Sequence, residues 1–543
     1  MKSFLKYCSL FALTLLARQS NAQPFTHQDT LRGSITEERI WWDLTHYDLN
    51  IHVNINERTF SGFNTISYKV LKPAALMQID LQSPLKITAV TQDKNALKFT
   101  QEGNAWYVTL DKKQIAGAVN QVTVHYEGVP QVSKRPPWEG GVTWTKDENG
   151  LDLITTTCQG DGASLWWPCK DHMYDEADSM TIKVTVPDHL MDISNGRLRK
   201  MVKNNDGTKT FEWFVSNPIN NYGVNINIGD YVHFDEKYPG EKGVLDCDYY
   251  VLRNDLKKAK SHFKEVPRML KALEHWFGPY PFYEDGYKLV QVPYYGMEHQ
   301  SSVTYGNGFR NGYHQTDLSG TGWGFNFDFI IVHESGHEWF ANNITYKDVA
   351  DMWIHESFTA YSENLFLNYY YGTEAAADYV IGTRKRIQND VPIIGVYDVN
   401  KSGSGDMYYK GANMLHTLRQ LVNDDEKWRS ILRGMNVTFY HQTVTTNQIE
   451  QFIADKTGLD LKTFFDQYLR TTQIPALEYK IESNILSYRW TNCVKDFAMP
   501  ITVMINGKAK NLEPKETWST LKSEVSVQDF QVKRDFYVLS KRI

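Results

Sequence analysis

The 543-residue chain reads as a multidomain α+β protein. Three observations predict this. Residues 41 to 235 hold several runs of strict two-residue alternation, residues 239 to 472 carry apolar side chains at helical spacing, and alternation returns after Pro475. The length suits two to four domains. We place a targeting segment at 1–22, an N-terminal β domain at 23–238, a mostly helical domain at 239–472 and a small C-terminal β-sandwich at 473–543, with no large helical domain after it.

The elements follow in order. Lys2 and Lys6 form a basic start, Cys8 to Ala17 an apolar run, and Ser20-Asn21-Ala22 a small-x-small cleavage site. This is a signal peptide that predicts a mature chain from Gln23 and export, secreted or periplasmic. No later stretch approaches 18 apolar residues, so no stable membrane span is expected after cleavage. Tyr47, Leu49, Ile51, Val53 and Ile55 alternate with Asp48, Asn50, His52 and Asn54 as in a half-buried strand. Val122, Val124 and Tyr126, then Ile182, Val184 and Val186, repeat the pattern. Pro136-Pro137 and Gly140-Gly141 mark a loop with Trp138 and Trp144. Pro239-Gly240 is read as a break. Leu256, Phe263, Val266, Leu270, Leu273 and Phe277 then follow helical spacing, with Pro267 as an expected kink. A strand from Tyr287 to Val292 precedes the loop Pro293-Tyr294-Tyr295-Gly296, and helices continue to about Arg470.

Composition is that of an ordinary globular protein, 41% hydrophobic and 22% charged. The net charge of −6 gives no reason to expect nucleic acid as a partner. Four cysteines follow the targeting segment, Cys158, Cys169, Cys247 and Cys493; this is no disulfide framework, and whether Cys158 and Cys169 pair stays open.

The chemistry concentrates in His333-Glu334-Ser335-Gly336-His337. A chance H-E-x-x-H in such a chain is roughly a 2–3% event, so its surroundings decide. Asp328-Phe329-Ile330-Ile331-Val332 leads in and Trp339-Phe340 follow, which predicts a mostly apolar helix. Residues four apart share a helix face, about 6 Å apart along the axis, so His333 and His337 can hold one metal ion together. Eighteen residues separate His337 from Glu356, which sits in Trp353 to Tyr361, another helical pattern with Phe358, Tyr361 and Leu365 on one face. Two imidazoles and a carboxylate leave the fourth position of Zn²⁺ open for water, and Glu334 stands where a general base is needed. His299, His314 and His355 are assigned to no metal; His355 points about 100° away from Glu356 on a helix.

This motif, its spacing and two further segments resemble the zinc aminopeptidases of the aminopeptidase N and leukotriene hydrolase type, over essentially the whole mature chain. That family carries G-x-M-E-N upstream of the zinc helix; here Tyr295-Gly296-Met297-Glu298-His299 matches at Met297 and Glu298 and departs at Tyr295 and His299. It carries Y-x-K-G-A after the third ligand, matched by Tyr408-Tyr409-Lys410-Gly411-Ala412. Thr157-Cys158-Gln159, followed by Trp167-Pro168-Cys169, is similar to a first-domain loop that places a polar side chain beside the substrate amine. The resemblance implies a thermolysin-like catalytic domain over 239–472 and one Zn²⁺ per chain on His333, His337 and Glu356. It implies Glu334 as general base and Tyr408 as oxyanion donor, Glu298 and Gln159 at the substrate amine, and an extended peptide beside the backbone of Gly296 and Met297. The chemistry agrees: a free ammonium needs a carboxylate in a closed pocket, and an oxyanion needs a donor. The family's frequent large C-terminal helical domain has no counterpart here.

The expected function is a zinc-dependent aminopeptidase acting on peptides with a free N-terminus. Two alternatives stand beside it: epoxide hydrolysis on the same zinc, whose added residues would lie in Asn400 to Asp406, and an inactive peptide-binding protein, which would need neither Glu334 nor Tyr408.

Overall fold

The computed structural model describes residues 25–482, 484–522 and 529–543, so the expected targeting segment and the expected start at Gln23 lie outside the described residues. Among the described residues no helix is long and apolar enough to cross a membrane. The alternating segments form an eight-stranded sheet built outward from Trp42–Asn54, which pairs antiparallel with Thr59–Val70 and parallel with Ser179–Pro187. Leu49, Ile51 and Val53 face the core, at about 1.5–3 kcal/mol per fully buried side chain, while His52 faces solvent. A four-stranded sheet includes Asp152–Thr157, buried on both faces except at its first residue, and Gln159 follows directly from its end. The loop after it is held by Asp171, whose carboxylate accepts from the backbone of Ala163 and Ser164, and by Trp167 packed edge-on against Tyr47 at 4.9 Å.

The second unit begins before the expected break. Tyr231–Gly240 and Gly243–Leu252 are one antiparallel hairpin, and Pro239-Gly240 leads into its turn rather than separating domains. The hairpin belongs to a five-stranded sheet that continues through Tyr287–Gln291 and Val303–Tyr305 to the edge strand Gly296–Met297. Pro and Gly serve turns as readily as linkers, and the sequence does not separate the two. Pro267 also reads differently: one helix ends at His262, another spans Glu265–Phe277, and Pro267 lies in its first turn, where a missing N–H costs nothing. The helix over Phe329–Gly336 lies against the strands Val303–Tyr305 and Gly296–Met297 and packs on the helix over Trp353–Tyr371, which packs in turn on the helix over Tyr409–Val422. After Arg470 the described residues form two small sheets, centred on Ala476–Glu482 and Ile501–Ile505, whose inward side chains Leu477, Trp490, Ile501 and Val503 continue the helical core. Met297 instead packs into the core of the N-terminal β unit, which pins the edge strand at the junction of the two units.

Candidate active site

The histidine helix begins at Asp328, whose side chain accepts from Ile331 N at 3.2 Å and also from Tyr305 and Asn307, tying the helix start to the sheet. The helix is shorter than its apolar sequence suggests. It ends at Gly336, His337 keeps helical backbone angles, and the chain then breaks, with Ala341 at φ +150°. Such a backbone angle costs roughly 1–3 kcal/mol in a non-glycine residue. The break brings the Phe340 carbonyl to 3.0 Å from His337 Nδ1. A carbonyl only accepts, so Nδ1 carries the proton and Nε2 is left as a metal donor. His333 is oriented likewise: its Nδ1 lies 2.8 Å from Glu363 Oε1, and Tyr379 donates to the other oxygen of Glu363 at 2.5 Å.

The two Nε2 atoms face one oxygen. Glu356 Oε2 lies 3.8 Å from His333 Nε2 and 3.4 Å from His337 Nε2, is fully buried, and has no hydrogen-bond partner among the described residues. Neighbouring corners of a tetrahedron with zinc-ligand arms are roughly 3.3–3.5 Å apart. The electrostatics also ask for a cation. Against the desolvation of burial, Glu356 and Glu298 raise His337 to about 10, and His337 holds the Glu356 carboxyl below its usual range. The residues therefore fit one Zn²⁺.

Glu334, Glu298 and His337 form the adjoining wall, their polar atoms within 4.8 Å of one another. Burial pushes the Glu334 carboxyl up to about 7. The edge strand approaches so closely that a Cβ on Gly296 would come within 2.9 Å of Glu334 Cγ, so only glycine serves there. Glu298 accepts from Gln159 Nε2 at 2.6 Å and from Tyr222 at 3.2 Å, and Gln159 Nε2 also lies 3.2 Å from Glu356. Burial raises the Glu298 carboxyl, a strain that an arriving ammonium would relieve. Tyr408 stacks 6.1 Å from His333 and turns its hydroxyl toward Glu356. Its position is set where Gly411 meets the Glu356 helix: a Cβ there would lie 1.9 Å from Ser357 Oγ, which donates to Met407.

All nine residues singled out in the sequence line one cleft of about 470 Å³, namely Gln159, Gly296, Met297, Glu298, His333, Glu334, His337, Glu356 and Tyr408. The peptidase family M1 domain matches residues 262–468, and the peptidase M1 N-terminal domain matches residues 44–222. The chain belongs to peptidase family M1.

Among its M1 relatives, leukotriene A-4 hydrolase of Xenopus laevis is 22% identical over 82% of this chain and 74% of its own. Leucine aminopeptidase 2 of Vanderwaltozyma polyspora is 23% identical over 78% of this chain, which spans only 62% of that protein. Of human endoplasmic reticulum aminopeptidase 1 the chain spans 44%. A crystal structure of the M1 zinc metallopeptidase from Deinococcus radiodurans superposes with a TM-score of 0.68 at 22% identity, covering 80% of this chain and 94% of that one.

The other expectations for this M1 chain resolve as follows. The three extra histidines stand apart from the group of His333, His337 and Glu356: His355 Nε2 accepts from Tyr346 N at 2.9 Å, His299 is fully buried, with Thr304 at 3.4 Å, and His314 packs at a tilt against Tyr295 at 3.8 Å. Cys158 and Cys169 are buried free thiols. Sequence reasoning missed Glu363, Tyr379 and Tyr222. Glu363 was findable, since it lies seven residues after Glu356 on the same helix face, where a buried carboxylate needs a partner. Tyr222 carries no local signal; only the fold brings it to Glu298.

Proposed function

We propose that this M1 chain is a zinc-dependent aminopeptidase that removes N-terminal residues from peptides. One observation carries the reading: Gln159 Nε2 bridges Glu298 and Glu356, so the amine site stands one side chain away from a metal ligand. A peptide whose ammonium meets Glu298 would bring its first carbonyl beside the metal ligands. The backbone of the edge strand Gly296–Met297 has a free side, along which an extended substrate can pair. A mutant of the Deinococcus peptidase bound to a Tyr-Ser-Ala substrate supports a peptide ligand.

Zinc, when bound, supplies Lewis-acid polarisation of the carbonyl and lowers the pKa of water. Glu334 takes the proton of the attacking water and delivers it to the departing amine. Glu298 and Gln159 fix the ammonium, and the Tyr408 hydroxyl donates to the oxygen on which charge develops. Digestion of one peptide in free and N-acetylated form, followed by mass spectrometry, tests the function. We expect a ladder shortened one residue at a time from the free peptide, none from the acetylated one, and neither after chelation. Internal cuts in the blocked peptide, or no zinc-dependent hydrolysis at all, would overturn the reading.

The choice between adjacent tyrosines gives a second expectation. Tyr408→Phe should lower kcat by about 10²–10³-fold with little change in KM, because the hydroxyl acts mainly in the transition state. Tyr409 is placed nearer Glu363 and Arg386, and Tyr409→Phe should lose far less. Steady-state kinetics of both variants decide it, and a larger loss at Tyr409 would reverse the assignment.

A further inference from the structure

The cleft is lined by four carboxylates, Glu298, Glu334, Glu356 and Glu363, and by one Arg or Lys side chain, Arg386. Arg386 ends the short turn Thr383–Arg386. Its neighbour Arg384 is a structural staple, donating to Asn413 at 2.7 Å and to the backbone carbonyls of Arg534 and Asp535 at 2.8 and 3.1 Å. Arg386 is used differently. Only its Nε is engaged, on the Leu318 carbonyl at 2.8 Å. Among the described residues its guanidinium pairs with no carboxylate, and its two Nη nitrogens donate to no protein acceptor.

Arg386 is exposed, and the backbone that follows it is held in place. Beyond it, the backbone N–H groups of Gln388 and Asn389 donate to the two oxygens of Asp406 at 2.8 and 2.6 Å. Asp406 lies two residues before Tyr408, so one carboxylate sets both segments. Arg386 lines the cleft beside Leu318, and neither Glu298 nor Glu334 is its partner. Glu298 clusters with His337, whereas Phe329 stacks on His333 at 5.0 Å and Tyr313 packs on Phe329 at 5.1 Å. The positive charge of Arg386 acts on Tyr313 and Tyr409.

We propose that Arg386 anchors a substrate carboxylate beyond the scissile bond. The carboxylate is either the C-terminus of a short peptide or an Asp or Glu side chain of a longer one. This deepens the aminopeptidase reading and rests on it. A guanidinium fork matches a carboxylate with two parallel hydrogen bonds, and a planar group already fixed through Nε loses little freedom on binding. With Glu298 and Arg386 both lining it, the cleft complements a zwitterionic peptide.

The test uses zinc-loaded enzyme and peptides bearing the N-terminal residue it removes fastest. Lengths from two to five residues are compared as free acids and as C-terminal amides, and an internal Glu is compared with Gln in an amidated tripeptide. We expect kcat/KM to favour the acid by about tenfold at one length, mostly through KM, as a charge-assisted contact at a partly exposed side chain gives. Arg386→Gln should bring that ratio to about one, and Arg386→Lys should keep part of it. Lys385→Ala, next door but not lining the cleft, should keep all of it. Preference at one peptide length assigns the C-terminus, and preference only for the internal Glu assigns the side chain. Equal rates on acid and amide at every length and on the Glu and Gln peptides, or a preference that survives Arg386→Gln, would overturn the anchor. Failure to cleave any of these peptides would instead overturn the aminopeptidase reading. Zinc content of each variant separates a misfolded protein from a lost contact.

Discussion

Glu334→Gln is expected to bind zinc normally and to lose activity by about 10³–10⁵-fold. Glu334 is buried on the helix that carries both histidines, one residue after His333, and its carboxylate is not in the group formed by His333, His337 and Glu356. The amide has nearly the same shape, so it keeps its place against Gly296, but it has no lone pair able to take a proton at neutral pH. Burial already pushes the carboxyl up to about 7, within the range where a group can accept a proton and return it in one turnover. Elemental analysis and kcat on the same sample check the prediction. Near-normal turnover with stoichiometric zinc would move the base elsewhere, and Glu298, the carboxylate grouped with Glu334 and His337 and not with the metal ligands, would be the first place to look.

The site was legible in the sequence wherever its geometry is local. His333 and His337 meet because helical residues four apart must meet, and Glu356 was findable because a buried helix rarely carries a carboxylate without a partner. The strands of the N-terminal unit were legible for the same reason, since alternation such as Leu49, Ile51, Val53 is set by the pleat itself. The rest depends on contacts between distant segments. Gln159 reaches Glu298 across 139 positions of chain, and Tyr222 reaches it across 76. The resemblance supplied Gln159, and nothing in the sequence supplied Tyr222. The helix break after His337 was hidden for another reason: Trp339, Phe340 and Ala341 are good apolar residues for a buried helix, yet here the carbonyl of Phe340 is needed at His337 Nδ1. Propensity describes what a segment does alone, and this segment is overruled by the group it must orient.

His337→Ala is expected to abolish zinc retention and with it all measurable peptide hydrolysis. Two ligands remain, His333 and Glu356, and Glu356 Oε2 loses the nearer of the two imidazoles facing it. The substitution also removes the contacts of His337 Nδ1 with the Phe340 carbonyl and Thr359 Oγ1 at 3.0 and 3.1 Å, at about 0.5–1.5 kcal/mol per hydrogen bond, while Thr359 Oγ1 keeps the Phe340 carbonyl as its acceptor at 3.4 Å. The variant should therefore unfold at a lower temperature even without metal, and lower stability alone does not test the ligand assignment. The response to zinc does. A ligand that binds only the folded chain stabilises it by RT ln(1 + [L]/Kd), about 2.7 kcal/mol at a hundredfold excess over Kd. Wild-type protein stripped by chelator should regain several degrees in Tm when zinc is returned, and the variant should not respond. A variant that keeps one zinc per chain and wild-type turnover would show that His337 is not a ligand. A variant that loses zinc yet still hydrolyses peptides would show that catalysis here does not run through this metal site. If zinc loss, Tm insensitivity and inactivity all follow from one side chain, then the helix break that aims that imidazole serves the chemistry as directly as the ligands do.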